Sequence, residues 1–242
     1  MCMFLFIFRI WGSFSIIFVC FCYSIPSSTD TVSTMATGLD MPNAIAFTPS
    51  GLTAYVLTDT QVLTVSVGGG ATSVLAGRSG VNSFANGLGT SAIFNTANGL
   101  VVHSGTGVMY ITDLNNNRIR ACTALGLVST LAGSDTAGNT DGAGSTATFN
   151  EPFGIVMDSN QQYLYVTCFF GNTLRRVEVT TGLTATIAGS KTAASTDGTG
   201  LLASFNAPTY VAIMTIVYYW VCAYLLTFLY NTAVSPGLSK II

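Results

Sequence analysis

Charge is the scarcest commodity in this 242-residue chain: Lys and Arg number 8 and Asp and Glu 10, together 7% of the sequence, against roughly a quarter in an average globular domain. That scarcity excludes a coiled coil, which needs charged flanks, and a charged disordered tail. The two lysines and six arginines are scattered, so no basic patch exists to neutralise a run of phosphates, which argues against a dedicated nucleic-acid binder. Histidine is nearly absent too. With His103 alone and no C-x-x-C spacing, neither a zinc site nor a metal centre built from several imidazoles can be assembled. There is also no Asn-x-Ser/Thr acceptor for N-glycosylation. What is abundant is threonine and glycine, 33 and 25 residues, a composition of strands and tight turns rather than helices.

Hydrophobic residues reach 50%, and much of the excess lies at the two ends. Residues 1–24 read as a secretory signal: Arg9 leads an apolar run from Ile10 to Cys22, and Cys22-Tyr23-Ser24 places small residues for cleavage after Ser24. The alternative for this stretch is an uncleaved membrane anchor. At the other end Thr209–Tyr230 holds no charge over 22 residues, which at ~1.5 Å rise matches a hydrocarbon core of ~30 Å. A transmembrane helix over 209–230, helical from about Val211 and followed by a short tail 231–242, is the expectation. Its aromatic cluster Tyr218, Tyr219 and Trp220 falls mid-span, and only Lys240 follows it. An evolved anchor and a reading frame running past a splice junction fit this pattern equally. Of the six cysteines, four lie in these ends, leaving Cys122 and Cys168, for which a bridge in an oxidising compartment stays open.

Between the ends the chain repeats itself. Ser73-Val-Leu-Ala-Gly77, Ser129-Thr-Leu-Ala-Gly133 and Ala185-Thr-Ile-Ala-Gly189 are one element three times, and Ala76, Ala132 and Ala188 stand 56 residues apart. A glycine turn follows in step: Asn86-Gly87-Leu-Gly89, Asp141-Gly142-Ala-Gly144, Asp197-Gly198-Thr-Gly200. So does an aromatic one: Ala92-Ile-Phe-Asn95, Ala147-Thr-Phe-Asn150, Ala203-Ser-Phe-Asn206. Within a unit, Gly154–Met157, the polar turn Asp158–Gln162 and Tyr163–Thr167 read as a hairpin. Gly99–Val102, the turn 103–107 and Val108–Thr112 repeat it, and Met41–Phe47 with Ala54–Asp59 forms an earlier copy. Arg118–Cys122 and Leu174–Val179 supply third strands, and the Leu-Ala-Gly element a fourth. Four antiparallel strands per ~40–50 residues predict an all-β, partial β-propeller with units at about 31–70, 71–127, 128–183 and a partial 184–213.

Two stretches carry a family resemblance. Pro152-Phe-Gly-Ile-Val-Met-Asp158 with Leu164-Tyr-Val-Thr167 and Asn172-Thr-Leu-Arg175, and Asn98-Gly-Leu-Val-Val102 with Met109-Tyr-Ile-Thr-Asp113 and Asn117-Arg-Ile-Arg120, resemble NHL repeats of the extracellular, long-linker kind. The resemblance covers about residues 31–213 and implies a β-propeller. The chain departs from it where Cys168 replaces the aspartate of other units, where the first unit lacks the Asn-x-x-Ile-Arg strand, and where the fourth stops at Ile213.

Candidate sites are few. His103 aligns with Asp158 and Thr48 in a hairpin turn and reads as a turn residue facing water rather than a base or ligand. Asn139-Thr-Asp141-Gly142 lacks the first and twelfth ligands of a calcium loop, and Gly189-Ser-Lys-Thr192 lacks the glycine before lysine of a phosphate loop. Arg118, Arg120, Arg175 and Arg176 repeat at one strand and are the candidate binding surface, an anionic-ligand role set against a structural one that the resemblance implies. No catalytic residue and no cofactor is nominated. The expectation is a non-catalytic interaction module on the secretory route, extracellular or membrane-bound, taking a protein or glycan partner and self-associating to complete its propeller. The alternatives are a truncated product without independent function and, less favoured, a propeller lyase or hydrolase.

Overall fold

A computed structural model describes residues 33–213 and the backbone of two short strands before them, β1 (Phe4–Ile7) and β2 (Ser15–Cys20). These two pair with each other and with β3 (Ser33–Leu39) in a three-stranded antiparallel sheet. The rest of the predicted signal lies outside the described residues.

Three antiparallel sheets of one pattern follow, making a partial β-propeller. The first is β4 (Pro42–Phe47), β5 (Thr53–Thr58), β6 (Gln61–Ser66) and β7 (Thr72–Gly77). After the two-residue β8 (Gly87–Leu88) comes the second: β9 (Ala97–Val102), β10 (Met109–Asp113), β11 (Arg118–Cys122) and β12 (Leu127–Gly133), with β8 added outside β12. The third is β13 (Pro152–Met157), β14 (Tyr163–Cys168), β15 (Thr173–Glu178) and β16 (Thr184–Ala188).

Two differences from the sequence reading emerge. The Leu-Ala-Gly strand pairs with the strand before it, so the sheets run 42–77, 97–133 and 152–188 and the units 71–127 and 128–183 are out of phase with them. The first unit does possess a third strand, β6, with Leu63 rather than arginine, held in place because Val62, Leu63 and Val65 are buried.

The second blade is buried on both faces because its neighbours sandwich it, and side-chain alternation decides which neighbour is met. On β10, Met109 and Ile111 join Tyr55, Leu57 and Val62 of the preceding blade around Phe94, whereas Tyr110 joins Leu164, Val166 and Val177 of the next around Phe149. Ala36 and Leu39 of β3 pack likewise on the first blade.

The Leu-Ala-Gly element has a geometric explanation. The ladder skips Leu75, Leu131 and Ile187, which are the extra residues of β-bulges. The glycines that follow, Gly77, Gly133 and Gly189, hold φ of +91°, +100° and +100°. A Cβ on them would lie 2.2–2.4 Å from a backbone carbonyl and 3.0–3.1 Å from Phe94, Phe149 or Phe205. Only glycine fits there.

Inner strands are joined by a threonine relay. Thr112 Oγ1 accepts from Gly99 N at 2.7 Å and donates to Phe153 O of the next blade at 2.7 Å. Thr167 Oγ1 accepts from Gly154 N at 2.9 Å and donates to Thr209 O at 2.7 Å. Thr209 therefore occupies the inner-strand place of Phe153. Residues 209–213 contain no helix; the remainder of the span expected over 209–230 lies outside the described residues. No helix among the described residues is long and apolar enough to cross a membrane.

Candidate functional site

The four arginines of the candidate surface separate by burial. Arg120 and Arg175 are wholly buried, Arg118 is half-buried and Arg176 exposed. The first two cannot present charge to a ligand, which corrects the sequence reading for them. They tie the inter-blade loop to the third strand.

Arg120 Nη1 reaches Asp113 Oδ2 at 2.5 Å and Ile93 O at 3.2 Å; Nη2 reaches Ala85 O at 2.7 Å and Asn86 Oδ1 at 2.9 Å. Its guanidinium lies 5.2 Å from the Phe94 ring centre. Arg175 copies this seat 55 residues later: Thr148 O at 2.8 Å, Thr140 O and Asp141 Oδ1 at 2.9 Å, and the Phe149 ring at 5.1 Å. In both, Nε is buried without a protein partner, a desolvation cost that the seat carries twice. Burial pushes the Asp113 carboxyl above its ordinary range despite Arg120, Asn116 and the Asn95 amide drawing it down, and burial likewise lowers Arg120.

The other sequence candidates are structural. His103 Nδ1 accepts from Gly105 N at 3.1 Å and Thr106 N at 3.2 Å. Asp158 Oδ1 accepts from Gln162 N and Tyr163 N at 2.8 and 2.9 Å in its own turn, and Thr48 Oγ1 from Thr53 N at 3.3 Å. One turn position is thus served by three acceptors. Cys122 and Cys168 are free and buried, packed in two different inter-blade cores, so the bridge left open by the sequence does not form. Among the described residues no group of three or more His, Cys, Asp or Glu converges as a metal cluster would.

An aromatic surface was missed. Phe153 at the start of β13 stands 5.9 Å from Phe169 and 5.6 Å, edge-on, from Tyr210; Phe169 stands 5.0 Å from Phe170. Phe170 is 60% and Tyr210 73% exposed. A signal existed. The loop Cys168-Phe-Phe-Gly-Asn172 stands where the preceding unit has Asp113-Leu-Asn-Asn-Asn117, placing two phenyl rings where a leucine and an asparagine otherwise stand. Phe153 opens β13, whereas Phe169 and Phe170 lie in the turn after β14 and Tyr210 in the irregular segment that follows the last sheet.

No protein-family model matches the sequence, and no curated protein does. The fold is similar to solved structures. A structural-genomics protein of unknown function from Bacteroides thetaiotaomicron VPI-5482 superposes with TM-score 0.63 at 20% identity, covering 82% of this chain and 48% of that one. A chain of a nidogen/laminin complex gives TM-score 0.52 at 15% identity over 72% of this chain and 58% of that one. The chain spans about half the length of the structures it matches. At such identities the likeness concerns fold alone.

Proposed function

We propose that this chain is a non-catalytic interaction module, an NHL-type propeller segment displayed on the secretory route, extracellular or membrane-bound, that binds a protein or glycan partner. The observation that carries this reading is the cluster of Phe153, Phe169, Phe170 and Tyr210, two of whose rings, Phe170 and Tyr210, face solvent. Exposed aromatic rings supply large contact area with few rotatable bonds to fix, whether against apolar side chains or sugar faces. The test is binding of the expressed chain to an array of secreted proteins and glycans. A partner whose binding falls at least about tenfold, ~1.4 kcal/mol, in the double variant Phe170→Ser, Tyr210→Ser is the expected result. Partners indifferent to both rings, or turnover of an arrayed compound, would sink the reading.

A further inference from the structure

The arginine seat occurs a third time. Gly189 abuts Phe205 Cδ2 as Gly133 abuts Phe149 Cδ2, both at 3.0 Å from the glycine's would-be Cβ. Ser204 N donates to Thr196 O at 2.9 Å, as Thr148 N donates to Thr140 O and Ile93 N to Ala85 O, each at 3.1 Å. The carbonyls of Thr196 and Ser204 therefore correspond to those of Thr140 and Thr148 that accept from Arg175. Asp197 corresponds to Asp141 and Phe205 to Phe149. Phe205 is buried whereas Thr196 and Asp197 are exposed.

The register asks for an arginine 56 residues after Arg175, but that position is Asn231, and residues 177–242 hold none. Among the described residues no cation pairs with Asp197. By this correspondence the seat offers one carboxylate, two carbonyls and a ring beneath, the set that holds a guanidinium twice elsewhere in this molecule. Such a set discriminates arginine from lysine, because a fork of donors meets several acceptors in one plane.

We infer that Thr196, Asp197, Ser204 and Phe205 form a receptor for an arginine side chain carried on a strand of a partner polypeptide, seated as Arg175 is on the preceding junction. This deepens the interaction-module reading by naming a partner chemistry, and rests on it. The partner need not touch the aromatic cluster, so the two surfaces can be tested apart.

The probe is a fluorescein-labelled octapeptide with the sequence of residues 172–179, Asn-Thr-Leu-Arg-Arg-Val-Glu-Val, titrated against the full chain by fluorescence anisotropy. Saturable binding is expected, weakened about tenfold or more by lysine at its first arginine and little changed by lysine at its second. Asp197→Asn in the protein should weaken it comparably, with an unchanged melting temperature because Asp197 is exposed. Free L-arginine competing as well as the peptide would place the specificity in the guanidinium alone and overturn the strand-borne partner. No binding, or equal loss from either lysine substitution, overturns the receptor itself. Array partners retained by Asp197→Asn yet lost on Phe170→Ser, Tyr210→Ser would leave the module reading standing without this site.

Discussion

Asp141 Oδ1 lies 2.9 Å from Arg175 Nη2, and the position that in the preceding blade supplies the counter-charge, Asp113, is occupied in this blade by Cys168. The acid has moved from strand to loop. Where the strand carries Asp113, the loop carries Asn86; where the strand carries Cys168, the loop carries Asp141. Each buried guanidinium keeps one carboxylate, and each seat keeps the two backbone carbonyls. The exchange explains the departure of Cys168 from the repeat: it is tolerated because the charge it removes is restored across the inter-blade junction.

The two pairs should differ in strength. Asp113 and Arg120 are both fully buried, whereas the Asp141 side chain is 52% exposed. Removing one partner of a buried pair strands the other charge, so Asp113→Ala should cost ~3–5 kcal/mol. Asp141→Ala leaves Arg175 its two carbonyls and lets water reach it, and should cost about 1 kcal/mol. Adding Cys168→Asp to Asp141→Asn rebuilds the arrangement of the preceding blade and should recover part of the loss. Urea unfolding of the four variants reads this out, and equal costs for the two alanine variants would contradict the account.

Phe94 and Phe149 are both fully buried at equivalent junctions, as the repeat of Ala-x-Phe-Asn predicts. Truncation of either to alanine should cost ~3–5 kcal/mol, measured by the same unfolding method. Costs below about 1 kcal/mol, the usual scale of surface changes, would mean that the junctions are not the core.

Much of this was readable in the sequence. Strand positions followed from β-branched runs between glycine and polar turns, and the three sub-motifs keeping step specified a repeated sheet. The assignment of the Leu-Ala-Gly strand to a sheet was not readable, because periodicity fixes spacing but not where a cycle begins. Nor was arginine burial. Arg118 and Arg120 stand two apart and share a face of β11 by alternation, yet one half-emerges over Phe84 at 4.0 Å and the other is sealed beneath the loop. The decisive cover, residues 85–94, comes from the inter-blade connection rather than from the strand. On β15 adjacency could have separated the pair, since Arg175 and Arg176 must point to opposite faces. The aromatic surface depends on Phe153, Phe169 and Tyr210 meeting across up to 57 residues of sequence, a proximity set by blade-to-blade stacking.

The two thiols should be inert in the folded chain. Burial pushes Cys122 up to about 12, with Arg120 pulling weakly the other way, and burial raises Cys168 too. The thiolate is the reactive form, so at pH 8 a disulfide-exchange reagent such as DTNB should leave Cys122 and Cys168 unmodified until the protein is unfolded in urea, when both should react, with peptide mapping separating them from the four cysteines of the chain ends. Rapid reaction of either thiol without denaturant would contradict the packing of the inter-blade cores.

Acid should erase the advantage of Asp141 selectively. Its partial burial raises the carboxyl, but the Thr186 amide at 2.9 Å, the Thr186 hydroxyl and Arg175 outweigh that, leaving it below the ordinary value of 3.8. A carboxylate depressed on folding contributes stability that is fully present above its unfolded value and is lost as pH falls through the folded one. The stability gap between the wild-type chain and Asp141→Asn should therefore be flat from neutral pH down to about 4, the ordinary aspartate range, and then close as the pH drops further. Isothermal urea titrations at stepped pH measure the gap directly. A gap that closes instead between pH 7 and 5 would assign the loss to another group, and one that persists unchanged in acid would show that the asparagine fails sterically rather than through charge.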